Sequence, residues 1–174
     1  MANFHHHNIG FQITPTPPKG TQLGLNLSPI PLFQNGFNIP VEISTASAFR
    51  KPPINLPLSS IVVMAHFDTG ASITSIDINL AKYLKLQSVG QSESYTASGS
   101  QIMPNFAVDI SFPNTRLSPF FDLRVGSCRL NFDLDKNLEN PNVPKNFGLL
   151  LGRDIMSRWI VFWDGQTSTV TISD

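Results

Sequence analysis

One stretch restricts the fold of this chain more than any other. Ile61-Val62-Val63-Met64-Ala65-His66-Phe67 runs directly into Asp68-Thr69-Gly70-Ala71-Ser72. The first seven residues are rich in β-branched and apolar side chains, the composition of a strand. Ile61, Val63, Ala65 and Phe67 share one face. The opposite face is also largely apolar, which fits an interior strand covered on both sides. The strand then delivers a carboxylate into a tight glycine turn. Thr69 adds a hydroxyl that can fix the loop. Gly70 permits backbone conformations closed to other residues, and Ala71 is small enough to sit beneath the turn. An Asp-capped turn after a buried strand would read the same way from these residues alone.

A second segment has the same form. Leu149-Leu150-Leu151-Gly152-Arg153-Asp154-Ile155-Met156 is an apolar strand that breaks at glycine and enters a helix. Asp154 suits the positive end of that helix. Arg153 is a cation beside an apolar element and needs an acceptor. Alone, it would pass for a strand, a turn and a helix with a surface arginine.

The remaining pattern is one of short strands. Val41 to Ser44 alternates, and a Pro-rich connector runs from Lys51 to Pro57. Ile73 to Ile76 reads as a strand, after which Asp77 can cap a helix over Ile78 to Leu84. Ser92 to Thr96 and Gln101 to Phe112 read as a hairpin around Ala97-Ser98-Gly99-Ser100. Phe120 to Val125 and Ser127 to Leu134 read as another, turning at Gly126. Asp135 to Phe147 is polar and reads as a surface loop. Trp159 to Trp163 and Thr167 to Ile172 form a last hairpin across Asp164-Gly165. The sum is an all-β domain with one or two short helices, a barrel or a sandwich.

Residues 1–40 stand apart. Pro15, Pro17, Pro18, Pro29, Pro31 and Pro40 interrupt regular pairing there. The stretch reads as an N-terminal arm or pro-segment that packs on the body or on a second subunit, with Leu23, Leu25 and Leu27 alternating as in a short strand. His5-His6-His7, without a partner ligand nearby, reads as a solvated tract rather than a metal site.

Composition narrows the partners. Of 174 residues, 41% are apolar, enough for a packed core, and twelve acidic residues balance twelve basic ones. No basic excess is available for a nucleic acid or an anionic membrane surface. Cys128 is the only cysteine, so no disulfide within the chain is possible; it reads as a small buried or half-buried side chain. MANFHHHNIG lacks the basic and apolar regions of a signal peptide. No run approaches the roughly 18 apolar residues of a membrane span. A soluble, cytoplasmic protein is the expectation.

The two strand-and-turn segments together resemble the retropepsin family, the retroviral-type aspartic proteases and their cellular relatives. In that family an apolar strand ends in D-[S/T]-G-A, and a later one runs into G-R-[D/N] at the start of the C-terminal helix. IVVMAHFDTGAS and LLLGRDIM occur here in that order. RWIVFWDGQTSTVTI follows and looks like the strand pair that closes such domains. The resemblance covers about residues 41 to 174 and leaves the arm outside.

The resemblance implies a small closed β-barrel with one or two short helices, working as a homodimer on a polypeptide substrate without metal or cofactor. Asp68 would be the catalytic acid, in an active-site loop with Thr69, Gly70, Ala71 and Ser72. Thr69 would grip the opposite subunit's loop, and Arg153, with Asp154, would brace the active-site loop. Tyr95, Thr96, Ala97, Ser98, Gly99 and Ser100 would form the flap over the substrate. Ser72 departs from the many viral members that carry an acid there. Arg153 must then bond backbone carbonyls or another carboxylate, Asp154 or Asp77. Only one D-[S/T]-G occurs in the chain, and the chemistry needs two acids, so each subunit would supply one Asp68 at a two-fold axis. Thr169 to Asp174 would pair within a subunit or across the dimer. Ile73, Ile102 and Ile155 are candidates for an apolar cleft lining, with core packing the plainer role. Apart from endopeptidase activity, a non-catalytic dimerisation or peptide-binding module on the same fold fits the sequence, as does an unrelated all-β domain.

Overall fold

The computed structural model describes residues 11–13, 36–49, 60–96, 99–140, 146–164 and 169–174; of residues 11–13 it describes the backbone. His5-His6-His7, the Leu23 to Leu27 alternation, the Lys51 to Pro57 connector, the Ala97-Ser98 tip and Gly165 lie outside the described residues.

The strands are β1 (Phe11–Ile13), β2 (Asn38–Thr45), β3 (Ser60–Phe67), β4 (Ser75–Asp77), β5 (Ser88–Thr96), β6 (Gly99–Ser111), β7 (Phe120–Cys128), β8 (Phe147–Leu151), β9 (Ile160–Asp164) and β10 (Thr169–Ser173). Among the described residues three short α-helices punctuate them: α1 (Ile78–Tyr83), α2 (Leu134–Glu139) and α3 (Arg153–Met156). Six strands close into a barrel in the order β2-β3-β8-β4-β7-β6, with β6 pairing back to β2. The structure is thus the all-β, closed-barrel architecture with few short helices. Strand β5 extends the sheet beyond β6, and β1-β10-β9 form a separate three-stranded sheet.

Alternation explains the core. Ile39, Val41 and Ile43 of β2 point inward, as do Phe106, Val108 and Ile110 of β6. Strand β3 is buried over nearly its whole length, with Ile61, Val63, Met64, Ala65 and Phe67 all covered, as its two apolar faces require. Phe37, just ahead of β2, is also core. Barrel packing therefore begins shortly before residue 41.

Two pairings are parallel, β3 with β8 and β4 with β7. Parallel neighbours end on the same side, so β3 and β8 release their following turns side by side. Phe67 opposes Leu151 in that register.

Two expectations are corrected. Gly126 is not a turn: β7 runs straight through it, pairing with β6 up to Val125 and with β4 from Gly126 onward. Glycine serves there for close approach, because a Cβ would lie 3.0 Å from Ser75 Oγ. The stretch after Asp135 is not all loop either. Asp133 caps α2, its carboxylate accepting from the Lys136 N–H, and buried Asn137 donates to the Val62 carbonyl at 3.0 Å. Asp77 caps α1 as its spacing suggests, accepting from the Asn79 and Leu80 N–H groups.

Among the described residues no helix is long and apolar enough to cross a membrane.

Candidate active site

Asp68 follows the last residue of β3, and Gly152 follows the last residue of β8. The parallel register makes the two turns neighbours, and hydrogen bonds tie them together. The Asp68 N–H donates to the Leu151 carbonyl at 3.0 Å, and the Ala71 N–H closes the turn on the Asp68 carbonyl at 3.1 Å. Arg153 holds the same loop twice. Its N–H donates to the Ala71 carbonyl at 3.0 Å, and its Nη1 donates to the Thr69 carbonyl at 2.6 Å. Of the acceptors open to Arg153, a backbone carbonyl is therefore the one used.

Asp154 has other partners. Its carboxylate accepts from the Thr74 N–H, at 2.9 and 3.0 Å to its two oxygens, and from Thr74 Oγ1 at 2.7 Å. It also accepts from the Ile155 N–H at 2.9 Å, as an acid in the first turn of a helix does. Thr74 Oγ1 in turn accepts from the buried Gly152 N–H at 3.0 Å. Gly152 is required by contact: a Cβ there would lie 2.5 Å from the Ile73 carbonyl carbon. Asp77 is fully buried and occupied with α1 and with the Leu130 N–H at 2.6 Å.

The Asp68 side chain is half-buried, and its Oδ1 accepts from the Gly70 N–H at 2.8 Å. Gly70 is not in the left-handed region that its sequence suggests; its contribution is room, since a Cβ would sit 3.0 Å from Asp68 Oδ1. Thr69, Gly70 and Ser72 are exposed and Ala71 is half-buried. The loop thus shows its hydroxyls to solvent.

A cleft of about 480 Å³ opens beside this loop. Its floor is Asp68, Gly70, Ala71, Ser72 and Ile73; one wall is Gly126, Ser127 and Cys128 of β7; the other is Ser92, Glu93 and Ser94 of β5. The β5–β6 hairpin supplies that second wall. It is paired in register to its end, where Thr96 opposes Gly99 and Tyr95 opposes Ser100. Gly99 has a φ of +114°, which favours glycine. Of the three isoleucines considered for the cleft, Ile73 lines it, Ile102 is 74% exposed on the hairpin, and Ile155 is fully buried in the core. Ile155 is buried because it is the inward residue of α3, so its role is packing.

No family model matches the chain, and no curated protein matches it. Among solved structures, the chain is similar to a retropepsin-like aspartic protease from Rickettsia conorii. The identity is 16%, over 78% of this chain and 90% of that chain, with a TM-score of 0.38. That likeness is loose.

Two ionisable neighbours sense Asp68. His66, on β3 two residues earlier, is held below its usual value by burial, an effect that the Asp68 charge partly opposes. Its Nδ1 lies 2.7 Å from Asn38 Oδ1. The Cys128 thiol is pushed up to about 12, by burial first and then by the charges of Asp77 and Asp68. It is a protonated, half-buried group on the cleft wall. Among the described residues, no group of three or more His, Cys, Asp or Glu could hold a metal ion.

Sequence reasoning missed Thr74. Thr74 reads as one more β-former in a short apolar run, and only the approach of α3 makes it the hub between Gly152 and Asp154.

Proposed function

We propose that this chain is the subunit of a homodimeric aspartic endopeptidase of the retropepsin type. The observation that carries the reading is the juxtaposition of Asp68 and the Gly152-Arg153-Asp154 turn at one end of the barrel, beneath a β-hairpin and beside an open cleft. Asp68 is the catalytic acid, Thr69 to Ser72 form its loop, Arg153 and Asp154 brace that loop, and Tyr95 to Ser100 cap the flap.

The reaction needs two carboxyl groups, one ionised and one protonated, flanking a water. Two carboxylates about 3 Å apart cannot both ionise, so such a pair shares a proton and titrates as a unit. The ionised group takes a proton as the water oxygen attacks the peptide carbonyl carbon. The protonated group gives its proton to the carbonyl oxygen. In the resulting gem-diol the group that took the water proton gives it to the amide nitrogen, the C–N bond breaks, and a diol hydroxyl returns a proton to the other, now ionised, carboxylate as a carboxylic acid and an amine leave. Asp68 and the partner subunit's Asp68 fill the two roles, which makes a second copy part of the site.

Strand β9 offers the contact for that copy. Strand β10 has β1 on one side and β9 on the other, so both of its edges are taken within the chain. Among the described residues, the outer edge of β9 pairs with nothing. Ile160, Val161, Phe162 and Trp163 are 64%, 36%, 65% and 48% exposed, four consecutive apolar residues on both faces of an edge strand. Such an edge invites pairing with another chain. It also adjoins the acid: the Trp163 ring packs on Phe37 at 5.9 Å, and Phe37 on Phe67 at 4.4 Å, next to Asp68.

Asp68→Asn tests the reading. The variant keeps the fold by circular dichroism and sedimentation, and it loses cleavage of casein and of peptide libraries across an acidic to neutral pH scan. Proteolysis by the variant equal to wild type refutes the assignment.

A further inference from the structure

A second cavity, of about 400 Å³, lies between α1, the chain just after β7 and the outer half of β6. We propose that it is an accessory subsite in which Lys82 and Arg129 hold an acidic side chain of the polypeptide substrate, Asp or Glu, away from the scissile bond. This rests on the endopeptidase reading and adds a substrate feature to it. Ile78, Asn79 and Lys82 line the cavity from α1. Residues three and four apart share a helix face, and Leu80 and Ala81 take the face turned to the core. Arg129 and Asn131 line it from the other side. Asp77 fixes the two sides together: its Oδ1 accepts from the Asn79 and Leu80 N–H groups, and its Oδ2 accepts from the Leu130 N–H, between Arg129 and Asn131. Asn131 has a φ of +58°, a left-handed bend that asparagine tolerates.

The charges give the cavity its ligand. Asp77 is the one acid in the lining; it is fully buried, and both of its oxygens are taken by backbone donors. Lys82 and Arg129 are exposed, and among the described residues neither side chain has a hydrogen bond or an ion pair. Two uncommitted cations with two side-chain amides, Asn79 and Asn131, suit a carboxylate. Met103 and Pro104 add an apolar wall for the rest of the bound residue.

The place of the cavity makes the substrate its source. Ser75 and Gly126, opposed in the parallel pairing of β4 with β7, line the cleft of Asp68; two residues further on, Asp77 opposes Cys128, where the cavity begins. On the hairpin, Ser92 of the cleft stands opposite Met103 of the cavity. Ser127 of the cleft donates through Oγ to the Pro104 carbonyl at 2.6 Å. Two residues of strand span about 7 Å. A chain leaving the cleft extended therefore reaches Lys82 and Arg129 about three to six residues from the cut.

The experiment takes a cleaved peptide, extends it by six residues at either end, and compares Glu with Gln at each added position. For wild type at low ionic strength Glu wins within one window of neighbouring positions by about fivefold in kcat/KM, the scale of two exposed charge contacts, and salt weakens the preference. The change lies in KM. Lys82→Gln and Arg129→Gln each reduce the ratio, and the double variant brings it close to one while cleaving the unextended peptide as wild type does. A ratio near one at every position, or a preference that survives in the double variant, overturns the inference and leaves the endopeptidase reading standing. Binding is read separately in Asp68→Asn by NMR of the Asn79 and Asn131 side-chain amides and the Met103 methyl, which shift more with the Glu peptide than with its Gln twin. If wild type cleaves no peptide, the endopeptidase reading falls; Glu-dependent shifts that vanish when Lys82 and Arg129 are replaced still support an acidic-peptide site, and their absence overturns both.

Discussion

Thr74→Val isolates the hub beneath the Asp68 loop. The substitution keeps the shape of a fully buried side chain and replaces one hydroxyl by a methyl. Two hydrogen bonds go with the hydroxyl. Asp154 loses a donor at 2.7 Å, and the buried Gly152 N–H loses its acceptor at 3.0 Å. A bond to a charged group is worth about 1.5–3 kcal/mol, and a buried donor left unpaired costs about 1–3 kcal/mol. The new methyl recovers about 0.8 kcal/mol at most, and the Thr74 N–H still reaches both Asp154 oxygens. The net loss is about 3 kcal/mol. With a urea slope of about 1–3 kcal/mol per molar for a domain of this size, the midpoint falls by about 1–3 M. The assay is urea unfolding followed by tryptophan fluorescence, at equal protein concentration because the stability of the proposed dimer would depend on it. Asp154→Asn and the double variant complete a cycle whose coupling energy reports the shared bonds. A loss below about 1 kcal/mol, or additive single effects, would refute the claim that Thr74 joins the two turns.

Three further outcomes are expected. Phe162→Glu, which sets a charge on the exposed edge of β9, shifts sedimentation toward monomer and lowers cleavage in step; a variant that stays dimeric and fully active removes β9 from the interface. His66 is held below its usual value of 6.5, mainly by burial, so as pH falls through 6.5 the unfolded chain takes up its proton first and stability drops until the folded imidazole is also protonated. His66→Gln flattens that part of the stability–pH curve, and an NMR titration placing the folded His66 above 6.5 contradicts the sign. Cys128, with its thiol pushed up to about 12, is alkylated by iodoacetamide far more slowly in the folded chain than in urea near pH 8, and equal rates would show an accessible thiolate.

The parts of this site that were legible in the sequence are those set by neighbours along the chain. An apolar strand that stops at Asp68-Thr69-Gly70, another that stops at Gly152, and Asp77 at the spacing of an N-cap are all local patterns. The misreadings have local patterns too, overruled by packing. Gly126 resembles a turn residue, but the bend is absent because β4 comes alongside β7 and needs the space that a side chain would fill. Asp133 and Lys136 carry a helix-start signal inside a polar, Pro-flanked stretch, and α2 is fixed there by Asn137 reaching the Val62 carbonyl of β3. Thr74 had no signal at all. Its importance arises from the crossing of segments 78 and 80 residues apart in the chain, which no local window contains.

The same contrast divides the site physically. The Asp68 loop is pinned by β8, by both donors of Arg153 and by its own turn, so its carboxylate is held by several elements of a closed barrel. The hairpin above is different. Among the described residues, 99–105 of β6 pair with β5 alone, while β7 and β2 take up β6 from Phe106 and Val108 onward. A two-stranded ribbon is marginally stable without further packing. Local opening of the hairpin therefore costs less free energy than any movement of the floor. A catalytic acid gains from fixed placement, and a long substrate needs an entrance. On the proposed reading the closed part of the sheet fixes the loop of the acid, while β5 and the outer half of β6 lie outside the closure.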